Sequence, residues 1–301
     1  MSCKGLSLMS GGLDSQLAVR VLERAGAEVE AVCFETPFFK SKEAAKAAAA
    51  LGVKLHVIDF TDDEIALVRN PPHGFGGAMN PCIDCHATMI KRAGELMTEL
   101  GYDFVATGEV QGQRPMSQNS QSLKTVEKAS GLKGRLVRPM SAKLLEPTIP
   151  ELEGKLDRDR LLDISGRSRD RQIALAAEFG IVDYPSPAGG CKLTEDGFCR
   201  KLKDLMDHEG LDDRRLVELL VVGRRFRLAG GSSVILGRDA NENAMLRALP
   251  YRTVEIAGLP GPTALIPDLK CDADLEAATE IVRAWSRGGT GREKYQPYQI
   301  L

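Results

Sequence analysis

The first residues able to do chemistry form a short run of glycines and hydroxyls near residue 10. A short apolar run ends at Met9, and the next six residues, Ser10 to Ser15, read Ser-Gly-Gly-Leu-Asp-Ser. An amphipathic helix pattern follows at once, which indicates strand, glycine turn and helix N-terminus. Such a turn lets backbone N–H groups approach an anion, and the helix start adds the positive end of its dipole. No lysine follows the glycines, so this is not the loop that holds a transferring γ-phosphate.

Two cysteines stand at the start of another predicted helix. Cys82 and Cys85 occur in Asn-Pro-Cys-Ile-Asp-Cys-His, which begins at Asn80. The pattern is typical of a thiol pair with lowered pKa, of half a zinc site, which needs a second pair, or of part of an iron–sulfur site. It also matches covalent haem attachment, which we exclude because that chemistry accompanies export and no signal peptide is predicted.

A third cysteine, Cys191, follows a Gly-Gly pair that lets its backbone come close to a ligand. Thiolates from Cys82, Cys85 and Cys191 are predicted to hold a 4Fe–4S cluster with one iron lacking a protein ligand, where an exogenous sulfide can bind. The alternative is a cysteine that carries a persulfide and is resolved as a disulfide by another. The other cysteines are predicted to be small core residues: Cys3, Cys33, Cys199 and Cys271.

The composition is that of a globular protein with room for two domains. The chain has 301 residues, 43% of them apolar and 27% charged, and a net charge of −2. No bulk positive field attracts nucleic acid, so RNA binding must use local patches. The longest apolar run is too short to span a bilayer. An odd number of cysteines without a signal peptide predicts the reducing cytoplasm.

Alternating strand and helix patterns predict an α/β fold with a parallel sheet. Ligands of such sheets bind beyond the carboxyl ends of the strands, where Phe34, Thr107 and Gly108 are placed. A proline- and glycine-rich connector at 184–190 sets the predicted boundary between domains 1–190 and 191–301. The second domain is predicted to be a smaller α+β unit with a loose tail from Gly288.

The Ser-Gly-Gly-Leu-Asp-Ser run resembles the PP-loop of the N-type ATP pyrophosphatases, an adenine-nucleotide α-hydrolase-like fold. In that family the loop grips the β,γ-pyrophosphate of ATP, while the α-phosphate is attacked and the substrate becomes adenylated. The resemblance implies that Asp14 orients either a Mg²⁺ ion or the loop itself. It also implies that ATP is held by Ser10, Gly11, Gly12, Asp14 and Ser15, with Phe34, Thr107 and Gly108 at the adenosine.

Further motifs resemble tRNA-thiolating members of this superfamily. Thr107-Gly108 and residues 112–118, Gly-Gln-Arg-Pro-Met-Ser-Gln, resemble tRNA 4-thiouridine synthetases, with one residue more than the usual segment. Asn-Pro-Cys-x-x-Cys resembles the tRNA 2-thiouridylases. The resemblance implies an ATP-dependent tRNA sulfurtransferase that adenylates a uridine carbonyl, with 4-thiouridine favoured as product and Asp14, Cys85 and Cys191 as catalytic residues. Its partners would be tRNA and a sulfur donor, either sulfide or a persulfide-carrying protein.

The region around 222–250 resembles the RNA-associated R domain of the NFACT proteins, through Gly-Arg-Asp-Ala-Asn-Glu-Asn from Gly237. Four arginines are predicted to form a basic patch that contacts phosphates or bases: Arg224, Arg225, Arg227 and Arg238. A solvated strand edge is the alternative.

Two other functions remain open. A PP-loop sulfurtransferase can act on a small-molecule cofactor, which needs no RNA surface. A non-catalytic RNA-binding protein can use ATP as a structural ligand only, although the three cysteines argue against it. His73 and His86 are candidates for proton transfer.

Overall fold

The structure, a computed structural model, describes residues 3–186 and 190–300. The chain divides into two compact units, Met1–Cys191 and Lys192–Leu301, here called the N-terminal and C-terminal units. Within the described ranges, no helix has the length and apolar character needed to cross a membrane.

The N-terminal unit contains a five-stranded parallel sheet with strand order β3-β2-β1-β4-β5. The predicted α/β fold with a parallel sheet is confirmed. Central strands β1 and β2 pair from Cys3 with Ala27 to Leu8 with Val32, so their carboxyl ends reach one edge together. The strands are β1 (Cys3–Leu8), β2 (Ala27–Glu35), β3 (Leu55–Asp59), β4 (Phe104–Ala106) and β5 (Leu136–Val137).

Seven α-helices are described in this unit, and three of them were not anticipated. No sequence pattern predicts α3 or α6, and the polar residues that lead into α5 favour an open loop. Asn119 begins α5 by accepting a hydrogen bond from Ser122 N at 2.9 Å. The helices are α1 (Leu13–Arg24), α2 (Lys42–Leu51), α3 (Thr61–Arg69), α4 (Cys82–Leu100), α5 (Ser120–Ser130), α6 (Ile149–Leu152) and α7 (Asp170–Glu178).

Apolar clusters cover both faces of the parallel sheet. Leu17 and Val21 of α1 belong to one cluster, and Ile90 of α4 belongs to the other. Gly5 of β1 lies against the ring of Phe104, where an added Cβ would be 2.3 Å from ring carbons. Close packing of this kind holds the strand ends that carry the predicted site.

The C-terminal unit contains a five-stranded antiparallel sheet with strand order β10-β6-β7-β9-β8. Phe226 and Val234 pack with Ile281 in its core. Its strands are β6 (Arg224–Arg227), β7 (Ser233–Leu236), β8 (Arg252–Val254), β9 (Ala264–Ile266) and β10 (Gln299–Ile300). Its helices are α8 (Asp196–His208), α9 (Arg214–Glu218), α10 (Ala240–Arg247) and α11 (Asp272–Trp285).

Two predictions for the C-terminal unit are wrong. The tail is not loose, because Tyr295 is buried in the core and Gln299 and Ile300 pair with the edge of β6. Cys271 is not a core residue, because it is exposed at the N-cap position of α11. Cys199, by contrast, is buried as predicted.

Candidate active site

The turn from Ser10 to Ser15 leads from β1 into α1. The first backbone N–H groups of the helix are not capped by a side chain of any residue that the structure describes. The N-cap of α1 is Gly12, which has no side chain to occupy the first N–H groups. Ser10 Oγ accepts a hydrogen bond from Gly12 N at 3.3 Å, and Ser15 Oγ donates one to Gly12 O at 2.8 Å. This arrangement suits a bound anion.

Gly11 is required by the backbone of this turn. Its φ is +84°, and an added Cβ would lie 2.5 Å from the carbonyl of Glu43. A side chain here would therefore push the turn away from the start of α2. Gln16 fixes the turn from the other side, because its Nε2 donates to Gly11 O at 2.9 Å and to Asp183 O at 3.0 Å.

Asp14 lies in the first turn of α1, beside a second predicted site segment. Gln113 Nε2 donates to Asp14 Oδ2 at 3.0 Å. An added Cβ on Gly108 would lie 2.7 Å from the Asp14 backbone, so only glycine permits this close approach. The structure thus brings Gly108 against the turn, as the shared sheet edge predicted. Phe34 is instead buried against Phe60, with ring centroids 5.3 Å apart.

Several buried polar atoms of Asp14 and of the segment 111–118 lack partners among the described residues. Asp14 Oδ1 is one, and the side-chain carbonyls of Gln111, Gln113 and Gln118 are others. Buried polar groups are normally hydrogen-bonded, so such a set points toward a ligand. The glutamines were not among the predicted site residues, although two of them belong to the 112–118 motif. Asp14 Oδ1 offers the oxygen ligand that Mg²⁺ prefers, so this residue fits the predicted ion.

The CxxC pair lies in the first turn of α4. Asn80 Nδ2 donates to Cys82 Sγ at 3.1 Å, and Cys82 is half-buried. Cys85 is buried, and burial raises the pKa of its thiol well above the usual range, helped by the Glu64 carboxylate. The thiols of Cys191 and Cys82 raise this pKa further, which places both near Cys85.

Glu64 is a buried acid beside Cys85 that sequence reasoning missed. It is 1% exposed, and neither carboxyl oxygen has a hydrogen bond of standard geometry in the described part of the chain. Burial raises its pKa to about 7, against the weak Cys85 thiol donor and the charge of His86. Its position inside α3, a helix the sequence did not indicate, explains the omission.

The three thiols do not form a metal site as they stand. Across 3–186 and 190–300, no group of three His, Cys, Asp or Glu side chains is arranged to hold a metal ion. Cysteine thiolates are the usual ligands of iron–sulfur clusters, so the three residues are of the right type to bind one. The 4Fe–4S cluster therefore stays a prediction.

A buried ion-pair network joins the start of α4 to the end of β4. His86 Nδ1 lies 3.2 Å from Glu109 Oε1, and Arg138 Nε donates to Glu109 Oε2 at 2.9 Å. Burial alone would raise the pKa of Glu109, but the Arg138 charge and the His86 hydrogen bond hold it at about 2. Thr107 Oγ1 also donates to Glu109, at 3.0 Å. The predicted residues Thr107 and Gly108 are thereby tied to the helix that carries Cys85.

The second predicted proton carrier, His73, lies in the glycine-rich loop before α4. Its Nδ1 is 2.6 Å from Asp84 Oδ1, and its backbone N–H donates to Asp84 Oδ2 at 2.9 Å. Asp84 is buried, and in the sequence it lies between the two cysteines of the CxxC pair. His73 therefore fixes the loop to the start of α4.

The prediction that the arginines of the C-terminal unit form an exposed basic patch, free to contact phosphates or bases, is wrong. Arg225 is buried rather than exposed. Arg227 is held by two carboxylates, donating to Asp204 and to Glu209 at 2.7 Å each. Arg238 Nε donates to Glu242 at 2.9 Å. Strand alternation and acidic residues of neighbouring elements, which motif spacing does not reveal, account for the difference.

The fold and the turn of the N-terminal unit are those of an α/β domain like the PP-loop class. Residues 1–142, slightly less than half of the chain, match the family model described as Thiamine biosynthesis protein (ThiI). Residues 223–296 match the model described as NFACT protein RNA binding domain. Both predicted resemblances are confirmed.

Individual relatives match the N-terminal part. The tRNA-specific 2-thiouridylase MnmA of Sulfurimonas denitrificans is 37% identical over 120 residues, 36% of this chain and 35% of the relative. A probable tRNA sulfurtransferase of Thermoanaerobacter sp. is 33% identical over 119 residues, 36% of this chain and 30% of the relative. These matches span about a third of the relatives' length.

Among solved structures, a 4-thiouridine synthetase–RNA complex with bound ATP aligns with a TM-score of 0.38 and 19% identity. The alignment covers 60% of this chain and 52% of that one.

Proposed function

We propose that this protein is an ATP-dependent tRNA sulfurtransferase that adenylates a uridine carbonyl and replaces its oxygen with sulfur. The observation that carries this proposal is the connection between the PP-loop (Ser10–Ser15) and the cysteine helix. Gly108 packs on the backbone of Asp14, and its neighbour Glu109 bonds His86, which follows Cys85. The names of the tRNA-modifying relatives and the RNA-binding family model support tRNA as the substrate, which implies a cytoplasmic reaction.

The first half of the reaction uses the PP-loop. Backbone donors at Gly11 and Gly12 and the hydroxyls of Ser10 and Ser15 hold the pyrophosphate that leaves. Donors fixed in advance at the developing negative charge are what this step requires. Asp14 would hold Mg²⁺ through its partnerless oxygen, and the ion would neutralise charge on the leaving group. The uridine carbonyl oxygen attacks the α-phosphate, giving an adenylated base and pyrophosphate.

The second half uses the thiols. A persulfide on Cys85 or Cys191 attacks the activated carbon and expels AMP, which leaves the base joined to the enzyme by a disulfide. The other thiolate then attacks the enzyme sulfur of that bond, releases the thiolated base and leaves an enzyme disulfide. A two-electron thiol reductant restores the pair. If the three cysteines instead hold a 4Fe–4S cluster, it would supply a sulfide-binding iron.

The resemblance of residues 107–118 to the 4-thiouridine synthetases favours 4-thiouridine as the product, whereas the relative from Sulfurimonas is named a 2-thiouridylase. The test uses the full chain, ATP labelled in the α-phosphate, a sulfide or persulfide donor and unmodified tRNA transcript. We expect AMP and pyrophosphate release that depends on tRNA, and a thiouridine in the digested RNA by mass spectrometry. ATP turnover that ignores tRNA would contradict the proposal.

The small-molecule alternative has one observation in its favour, the thiamine-biosynthesis description of the matched family. Sulfur transfer to a carrier or cofactor precursor would need no RNA surface. Pyrophosphate release stimulated by such an acceptor and not by tRNA would select this function instead.

A further inference from the structure

A buried arginine in the C-terminal unit has no hydrogen-bonded counter-ion among the described residues. Arg225 alternates with Phe226 along β6, so it points away from the core that Phe226 occupies. It is 2% exposed, and in the described residues none of its three guanidinium nitrogens has a hydrogen-bond partner. Burial lowers its pKa to about 10, although Glu209 and Asp204 act in the opposite direction. A buried charge without a partner is costly unless a ligand supplies one.

The carboxylates nearest to Arg225 in the electrostatics of this region bond other groups. Asp204 and Glu209 both accept hydrogen bonds from Arg227, and Glu242 is bound to Arg238. The charges of Arg225 and Arg227 together balance those of Asp204 and Glu209, but none of these carboxylates is hydrogen-bonded to Arg225 among the described residues.

A lysine of α8 adds a positive charge that these carboxylates do not balance. Lys201 is half-buried, and its pKa is lowered by burial first and then by the charges of Arg238, Arg225 and Lys192. Within the two described ranges, Lys201 has no ion-paired carboxylate. Two cations that repel each other across a partly dry region form a ready site for an anion.

A hydroxyl completes the arrangement. Ser233 of β7 is buried, and its Oγ has no partner among the described residues. The sheet register pairs Arg225 with Ile235 and Arg227 with Ser233, so Ser233 lies on the same face and diagonally across from Arg225. Such diagonal neighbours are about 7 Å apart, a gap that a tetrahedral anion can bridge.

We propose that Arg225, Lys201 and Ser233 form a binding site for one phosphate group in the C-terminal unit. The planar guanidinium donates two parallel hydrogen bonds to phosphate oxygens, the ammonium adds a point charge, and the hydroxyl adds a third donor. The phosphate comes from the RNA backbone or from free phosphate. Only the RNA source rests on the proposed function.

The site is tested by thermal unfolding of the full chain with rising inorganic phosphate, at ionic strength held constant with chloride. Phosphate binding raises the apparent Tm of the wild type by mass action. Arg225→Met should unfold at a higher temperature than the wild type without phosphate, since an unpaired buried charge is removed, and should bind phosphate at least tenfold more weakly. Arg252→Met removes the same charge from exposed strand β8 and should respond like the wild type.

Lys201→Met, which alters a half-buried residue, should also weaken the phosphate response and keeps the test valid if Arg225→Met does not fold. An undiminished response in both variants, or no response in the wild type, would overturn the proposal.

To decide between RNA phosphate and free phosphate, the affinity for a single-stranded oligouridylate is measured at several salt concentrations. If the RNA backbone is the source, Arg225→Met lowers the slope of log affinity against log salt by about 0.7. An unchanged slope with a lost phosphate response supports the same site as one for free phosphate. Both assays omit ATP and sulfur donor, so their outcome is independent of thiolation.

Discussion

His86 Nδ1 lies 3.2 Å from Glu109 Oε1, and this contact joins the helix that carries Cys85 to the strand end that packs on the PP-loop. Glu109 in turn holds the buried guanidinium of Arg138 at 2.9 Å. The Ser10–Ser15 turn and the helix that carries Cys85 are therefore connected through residues 108 and 109 at the end of β4.

Asp14→Asn should lower tRNA-dependent pyrophosphate release by about a hundredfold or more, because the carboxylate that would hold Mg²⁺ at the leaving pyrophosphate is lost. The measurement is release of labelled pyrophosphate at saturating ATP. Asp163→Asn, an exposed residue of the same unit paired with Arg171, should leave the rate unchanged. Any iron–sulfur absorbance should survive in Asp14→Asn. Persistent pyrophosphate release in that variant would contradict the loop assignment.

Replacing Cys85 or Cys191 with alanine should stop thiolation while pyrophosphate release continues, because in the proposed mechanism the thiols act after adenylation. Cys82→Ala should stop thiolation only if a cluster is present, because the persulfide route does not use Cys82. Cys271→Ala alters an exposed cysteine of the C-terminal unit and should be fully active. If a cluster is present, each of the three variants should also lose a brown chromophore after anaerobic preparation. A colourless, fully active wild type would favour the persulfide route, and an active Cys85→Ala would contradict both.

Gly108→Ala should weaken ATP use by about tenfold or more, because its Cβ would collide with the Asp14 backbone at 2.7 Å and displace the loop. The measurement is kcat/KM for ATP in the pyrophosphate-release assay. Gly77→Ala is the matched control, since nothing lies within 4 Å of its added Cβ. Equal kcat/KM values for the two variants would show that the close approach is unimportant.

Glu109→Gln should lower the free energy of unfolding at pH 7 by about 3 kcal/mol, because the Arg138 guanidinium stays buried without its counter-ion. The folded-state pKa of Glu109 lies at about 2, below its ordinary value of 4.5. Its contribution is therefore fully present above pH 4.5 and is lost as the pH falls toward 2. Urea unfolding across this range measures the effect. Glu127→Gln, at the partly exposed end of the Arg138 network, should cost much less.

Glu64→Gln should have the opposite effect and raise the free energy of unfolding at neutral pH. Burial raises the folded-state pKa of Glu64 from 4.5 to about 7, so its ionisation opposes folding as the pH rises through that interval. The variant should match the wild type below pH 4.5 and be more stable above pH 7, by up to about 3 kcal/mol. Glu95→Gln, on the exposed side of α4, should show no such pH dependence. A pH-independent difference would contradict the assigned pKa.

The motifs reveal the turn and the parallel sheet because both depend on local signals. Ser10–Ser15 follows an apolar strand directly, and strand order places Gly108 at the same edge. The buried network is different, since Glu64, Glu109 and Arg138 act through contacts between elements distant in sequence. The prediction for the arginines of β6 is wrong for the same reason. Strand alternation buries Arg225, and Arg227 forms ion pairs with an acid of α8 and with the acid that follows this helix.

The central claim is that a uridine carbonyl oxygen attacks the α-phosphate of ATP held on the PP-loop. The most direct measurement uses tRNA transcribed with uridine labelled with oxygen-18 at its carbonyl positions, and mass spectrometry of the AMP released during one turnover. The account predicts that the heavy oxygen appears in AMP. Unlabelled AMP, with the label in water or pyrophosphate, would contradict it.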